Sequence, residues 1–521
     1  MNINADVGSI DANPIEPSSG VILRCATKTG ARTGSVRTRM VLLATAALSA
    51  CSLAPKYVEP QLPVPPSWPV GDAYLKQTEA TLPSVSYRDI FRDARLQQIV
   101  EQALINNRDL RIAAANIASA RAQYRIQRAE LLPQVNASAS VTRSDSGTGR
   151  TTGAGGGTVA GGARTNYSAD IGVTAFEIDL FGRIRSLSTA AQDRYFATEA
   201  AARATRLTLV GDIAAAWETY GSDKSLLKIA QDTAMSAGSS VGLTKARLDG
   251  GIAPRTDLAQ AQLVLAQAQS DLAAQTTALA RDINALQLLV GAPVDAALLP
   301  SDIEDAAKNL AELPAGLGSG ILLRRPDVLQ AEYELRAANA EIGAARAALF
   351  PRISLTAIMG LASNALGGLF TGGAFNYSVA PSASYSIFQG GAARAKVRLS
   401  EAQRDAALAT YEKSIQTAFR EVSDALARRG TIADQSKAAE SLAAAATDNY
   451  RLSDARYRGG IETFLQSLDA QRSLYSARRS LVATQLTGAT NLVTLYRVLG
   501  GDALLEATPS GPIAVMSVAK P

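Results

Sequence analysis

Between Gly391 and Tyr457 run 67 residues without a proline, rich in alanine and mixed charge. They stop at Arg458-Gly459-Gly460-Ile461-Glu462, and a second proline-free run follows from Thr463 to Leu499. Proline inside a helix removes an amide donor and clashes with the preceding turn, so its absence over such lengths favours long helices. Two helices meeting at a Gly-Gly corner form an antiparallel hairpin, because glycine supplies the positive φ at which helices commonly end. At 1.5 Å per residue the first arm is about 100 Å long, several times a typical globular helix. The same device closes an earlier run (about 183–249) at Lys245-Ala246-Arg247-Leu248-Asp249-Gly250-Gly251-Ile252. Few architectures accommodate two such hairpins in one chain.

The hairpins belong to a tandem duplication. Asn107-Arg108-Asp109-Leu110 through Leu131-Leu132-Pro133 matches Arg325-Pro326-Asp327-Val328 through Leu349-Phe350-Pro351 at a shift of 218. Arg247, Gly250 and Gly251 match Arg456, Gly459 and Gly460 at a shift of 209, as Val290-Gly291 matches Leu499-Gly500. Each copy reads helix, proline, two strands, long helix, Gly-Gly, second helix. The expected segments are a leader over 1–50, a tether over 51–94, repeats over 95–310 and 321–502, and a tail over 503–521.

The strands alternate with a period of two. Val135, Ala137, Ala139 and Val141 are apolar with polar residues between, and so are Tyr167, Ala169, Ile171, Val173 and Ala175. Ile353, Leu355, Ala357, Met359 and Leu361, then Tyr377, Val379, Ala383, Tyr385 and Ile387, repeat the pattern. This places strands near 134–142, 167–180, 352–362 and 376–388. Alternation over about ten residues is the mark of a membrane β-strand, although a soluble antiparallel sheet shows it too. After Ala175 the parity flips to Phe176, Ile178 and Leu180, which predicts a bulge. Gly-rich loops over 146–164 and 364–374 join the strand pairs.

The helices carry heptads: Leu258, Leu265, Leu272, Leu279 and Leu286 recur every seven residues, with Ala261 and Ala268 in the alternate seam. Two shorter helices, expected at 95–131 and 254–290, together match the length of the long one. Each copy then supplies two helical columns, with strands at one end and a Gly-Gly corner at the other. The fold class is mostly α with a membrane β-barrel.

The front of the chain reads as an export signal. Arg24, Lys28, Arg32, Arg37 and Arg39 precede an apolar run from Met40 to Leu48. It ends in Leu48-Ser49-Ala50-Cys51, the pattern of a lipoprotein cleavage box, which makes Cys51 the expected carrier of diacylglyceryl and N-acyl lipid. A plain secretory signal with an incidental cysteine is the alternative. Six prolines between Pro55 and Pro69 then make an extended tether.

Composition excludes much else. Histidine is absent, which removes the commonest general base and metal ligand. Cys25 and Cys51 are the only cysteines, so neither a disulfide framework nor a CxxC metal site exists. No phosphate-cradling glycine loop precedes a helix, so no catalytic residue, metal or cofactor is expected and an enzyme reading fails. The net charge of +5 lies partly in the leader and does not indicate nucleic acid.

On these motifs the chain resembles the TolC-like outer-membrane efflux family, in its lipidated OprM-like and NodT-like branch, over essentially all of residues 51–502. The lipobox and proline tether, Phe181-Gly182-Arg183 after a strand, the two Gly-Gly corners and Leu468-Asp469-Ala470-Gln471 carry the resemblance. It implies a homotrimer, with a twelve-stranded barrel in outer-membrane lipid and an α-helical periplasmic tunnel. It further implies a passive exit duct for small molecules, docked to a periplasmic adaptor and an inner-membrane RND-type pump. Counted from the corners, Asp257 and Asp469 match the acids that ring the periplasmic aperture of such channels, while Gln466 stands where some relatives carry another acid. An ordinary solvated helix face would present the same two acids. The corners Gly250, Gly251, Gly459 and Gly460, with Arg458 and Glu462, are the expected adaptor contact. A type I protein-secretion duct of the same fold and a non-conducting lipoprotein stalk are the competing functions.

Overall fold

The computed structural model describes residues 53–58, 60–61, 63–65, 67–69, 86–145, 151–152, 158–159, 163–311, 319–501, 505–506 and 513–514. Cys51, the leader, and most of the 146–164 loop and of the tail lie outside them. The helices are α1 (Tyr87–Ile90), α2 (Ala94–Asn106), α3 (Arg108–Ala129), α4 (Arg183–Asp249), α5 (Arg255–Val290), α6 (Ile303–Ala307), α7 (Pro326–Ala347), α8 (Ala392–Arg458) and α9 (Phe464–Val498). The main strands are β1 (Val135–Asp145), β4 (Ala163–Glu177), β5 (Arg352–Ser363) and β6 (Phe375–Ser384). Two-residue ladders pair β2 (Thr151–Thr152) with β3 (Thr158–Val159) and β7 (Leu505–Glu506) with β8 (Ile513–Ala514).

The duplication holds element by element. α3 and α7 have 22 residues each, α4 and α8 have 67 each, and α5 and α9 have 36 and 35. Both long helices start after a left-handed glycine, Gly182 at φ 74° and Gly391 at φ 85°.

One helix expected over 95–131 is two. The chain bends at Asn107 (φ −60°, ψ 138°), whose Oδ1 accepts the Leu110 amide at 3.0 Å and starts α3. Its Nδ2 donates to the Leu289 carbonyl at 2.7 Å, near the end of α5. Gly291 has φ 75°, and a Cβ there would lie 2.6 Å from the Asn106 carbonyl, so the bend docks on the end of α5. In the second copy Arg325 Nη1 donates to the Val498 carbonyl at 3.1 Å, the same joint at shifts of 218 and 209. Burial of Phe91, Leu96, Ile99, Val210, Ile213, Trp217 and Tyr496 packs the first joint, and Leu322, Val328, Tyr411, Ile415, Val422 and Leu495 the second. Each such aliphatic or Phe side chain, fully buried, is worth about 1.5–3 kcal/mol against exposure.

The sheet is antiparallel in the order β1-β4-β5-β6. Its register aligns Val135 with Val173, Val141 with Tyr167, Ile171 with Met359 and Met359 with Tyr377, so one face is continuously apolar. The other carries serine pairs, Ser140 with Ser168 at 2.9 Å and Ser354 with Ser382 at 2.8 Å. The register shifts between Val173 and Phe176, where Ala175 takes φ 54°, as the change of parity predicts. Two strand limits differ from expectation. β4 covers 163–177 instead of 167–180, and β6 ends at Ser384 instead of 388, leaving Tyr385 and Ile387 beyond the ladder. Alternation continues past the last paired residue because it records which face a side chain takes, not whether a neighbouring strand is present. Among the described residues no helix is long and apolar enough to cross a membrane.

The described part of the tether lies along α7. Ala54 packs on Gly343, where a Cβ would meet its Cα at 2.8 Å, and Asn339 Nδ2 donates to the Pro55 carbonyl at 2.8 Å. Arg336 sits 5.0 Å over the Tyr57 ring, and Trp68 stacks on Phe419 at 4.7 Å.

Candidate channel aperture

At each corner the orphaned carbonyls of the long helix are met by a Schellman-type pair of bonds. Ile252 N donates to Arg247 O at 2.9 Å and Gly251 N to Leu248 O at 2.9 Å. Ile461 N donates to Arg456 O at 2.9 Å and Gly460 N to Tyr457 O at 3.0 Å. Only the second glycine of each pair is left-handed, Gly251 at φ 71° and Gly460 at φ 74°. Gly250 (φ −81°) and Gly459 (φ −74°) adopt values open to any residue.

Contacts that the sequence did not suggest join the two corners. Arg247 Nη2 donates to the carbonyls of Tyr457 at 2.8 Å and Arg458 at 3.2 Å, with its guanidinium 4.2 Å from the Tyr457 ring centre. The Tyr457 hydroxyl meets buried Thr244 at 3.2 Å, and its ring packs on Phe464 at 5.4 Å. Farther along, Tyr450 meets Ser236 at 2.6 Å and Tyr475 donates to Asp271 at 2.6 Å. Burial and the bond to Asp271 push the Tyr475 hydroxyl up to about 12, so it remains a donor. All three tyrosines belong to the second copy, and their counterparts at a shift of 209 are Val241, Leu248 and Ala266. The only available signal was this asymmetry between copies.

Arg456, the counterpart of Arg247, pairs instead with Glu462 (Nε–Oε1 2.6 Å), and Arg458 pairs with Asp454 at 2.8 Å. Arg458 and Glu462 are thus each held within their own hairpin. Asp257 is the third residue of α5 and half-buried, and Asp469 is exposed in the second turn of α9. Burial of Phe464, Ser467, Leu468, Ala470 and Gln471 turns Asp469 and Gln466 outward together. Neither carboxylate makes a side-chain hydrogen bond or ion pair among the described residues. Among those residues no group of three or more metal-ligating side chains occurs.

A sheet with one apolar face that feeds paired 67-residue helices defines a subunit of an outer-membrane channel with a helical periplasmic extension. The profile of the family described as outer membrane efflux protein matches residues 99–292 and 317–501. The chain belongs to that family. It is 43% identical over 456 residues to the probable efflux pump outer membrane protein TtgC of Pseudomonas putida, covering 87% of this chain and 93% of that one. It is 38% identical to the outer membrane protein OprJ of Pseudomonas aeruginosa, covering 88% and 95%. Among solved structures it resembles the open state of the Neisseria gonorrhoeae MtrE outer membrane channel, with a TM-score of 0.75, 33% identity, and coverage of 87% and 99%.

Proposed function

We propose that three copies of this chain close a twelve-stranded barrel and a helical tunnel, forming the passive exit duct of a tripartite efflux pump for small organic molecules. The observation that carries this reading is the four-stranded sheet whose outer strands, β1 and β6, are each paired on one side only. In lipid an open edge leaves backbone groups unsatisfied at several kcal/mol each, so the sheet must close. Four strands are too few, eight leave an interior filled by side chains, and twelve leave room for a duct. Relatives whose names refer to toluene, solvent and antibiotic efflux support small organic molecules as the cargo. The duct catalyses no reaction and carries no cofactor. The Gly-Gly corners, with Arg458 and Glu462, meet a periplasmic adaptor that couples the duct to an inner-membrane RND-type pump. Acyl chains on Cys51 add a second hold on the outer membrane, at about 0.8 kcal/mol per buried CH₂. The test is conductance of the purified protein in planar bilayers, together with its detergent-corrected mass. A monomer that passes no current overturns the reading.

A further inference from the structure

We infer that Asp170 is a charge-selecting residue of the duct, a carboxylate at mid-height of the barrel lumen that favours cationic over anionic solutes. The inference rests on the proposed duct and concerns its membrane section, apart from the aperture. Asp170 is the eighth of the fifteen residues of β4. Its register partners are Ser138 on β1 and Gly360 on β5, and Gly360 in turn faces Asn376 on β6. One row across the wall thus reads hydroxyl, carboxylate, bare backbone and amide.

The period of two fixes the face on which this row lies. Ser140 and Ser168, one step along the same face, join their hydroxyls at 2.9 Å. Ile171 and Met359 lie on the opposite, apolar face and stand about half exposed in the single chain. In an outer-membrane barrel the apolar face meets lipid and the polar face lines the lumen. An ionised carboxylate in hydrocarbon is costly, whereas one on a wetted wall tunes selectivity. A Cβ at Gly360 would run into Asp170 Oδ1 and lie 2.6 Å from the Ala169 carbonyl oxygen. The carboxylate therefore leans across the one residue of its row that has no side chain. It makes no side-chain hydrogen bond or ion pair among the described residues.

On the polar face of the four main strands, Arg164 stands at the loop end and Glu177 and Arg352 at the helix end. Glu177 is held by Arg183 at 2.8 Å. Between these limits Asp170 is the one charged residue; the others on that face are Ser, Thr, Asn, Gly, Ala and Ile358. Arg164 lies about 20 Å along the strand from it, beyond the Debye length of about 10 Å at 0.1 M salt. The charge is particular to the first repeat, since Ser138 and Asp170 correspond to Thr356 opposite Ala380 in the second. Three copies therefore set three carboxylates at one level of an otherwise uncharged wall, and such a ring favours cations. Asp257 and Asp469 lie beyond a 67-residue helix, about 100 Å away, so the two levels act separately.

Thiol reaction rates test this in outer-membrane vesicles, with the parent protein as control for Cys25 and Cys51, the only native cysteines. Ser138→Cys puts a thiol opposite Asp170, where it meets a trimethylammonium or a sulfonate methanethiosulfonate. The ratio of cationic to anionic rate, relative to a free thiol in solution, is expected to be about three-fold at 0.1 M salt. It should fall close to unity with Asp170→Asn, or in 1 M salt, where the Debye length is about 3 Å. Ser382→Cys, about 20 Å nearer the helix end, should keep its own ratio when Asp170 is changed. A ratio near unity at Ser138→Cys, one that Asp170→Asn leaves unchanged, or an equal change at Ser382→Cys overturns the inference. The duct survives such a result as long as Ser138→Cys reacts and Val141→Cys, on the lipid face, does not. A Ser138→Cys that reacts with neither reagent also overturns the inference, and if Val141→Cys reacts instead, the duct falls with it.

Discussion

The guanidinium of Arg247 lies 4.2 Å from the centre of the Tyr457 ring while donating to the carbonyl of the same residue at 2.8 Å. One side chain of the first repeat thus caps the last turn of α8 in the second. A cation over an aromatic face contributes about 0.5–2 kcal/mol, and a charged donor on a carbonyl about 1.5–3. Arg247→Ala is expected to weaken local closure of the tip by about 2 kcal/mol, roughly thirty-fold in amide exchange over 455–462. Arg247→Lys keeps the charge but loses the planar fork, so it should fall between the two. Hydrogen exchange with mass spectrometry measures both. Equal protection in all three proteins would show that the contact does not hold the tips.

The corners predict an asymmetry within each glycine pair. Gly251→Ala and Gly460→Ala force a side chain into the left-handed region and are expected to cost about 1–2 kcal/mol. Gly250→Ala and Gly459→Ala meet ordinary backbone angles and nothing closer than 3.4 Å, so they are expected to be close to neutral. Thermal unfolding of the four variants side by side separates these outcomes.

The corners also show what could be read from the chain alone. The run without proline from Arg183 to Asp249 is α4 to the residue, because helix breakers and left-handed glycines act locally. The bend at Asn107 has a local part, its cap on the Leu110 amide, and a remote part, the Leu289 carbonyl 182 residues away, which no local pattern announces. Nor does anything near Tyr457 in sequence announce Thr244 or Arg247. Asp257 and Asp469 could be placed near the corners by counting, but where they meet depends on the other copies.

Glu218 gives a pH prediction. It is fully buried on α4 beside Trp217, and neither carboxylate oxygen has a hydrogen-bond partner among the described residues. Burial, and secondarily the charge of Asp93, pushes its carboxyl up to about 8 from an ordinary 4.5. The folded chain therefore holds a proton that the unfolded chain releases between these values. Stability should fall with rising pH across that window, by at most about 1.4 kcal/mol per unit, and level off above pH 8. Glu218→Gln, which does not titrate, should flatten that dependence and unfold at a higher temperature than the parent at pH 8. Melting curves from pH 5 to 8.5 decide it, and parallel profiles would contradict the assignment.

The two acids near the corners, Asp257 and Asp469, give an electrical one. Three carboxylates from Asp469 and three from Asp257 converge if the copies share an axis, favouring cations and opposing anions. The Asp257→Asn, Asp469→Asn double variant is expected to lose several-fold in cation preference and to be blocked less by divalent ions. Reversal potentials in a KCl gradient measure this. Unchanged selectivity would return both residues to an ordinary wet helix face.

The two 67-residue helices bear on how such a chain can change over time. One residue inserted into α8 lengthens one column by 1.5 Å and rotates everything beyond it by about 100°. The tip would then leave Arg247 facing the wrong carbonyl, and Tyr457 would lose Thr244. Only additions that return close to a whole number of turns, such as seven or eleven residues, made at matching levels in α4, α5, α8 and α9, preserve both the helix packing and the corners. The reach of the tunnel below the membrane is therefore quantised, and spans intermediate between such steps are closed to it.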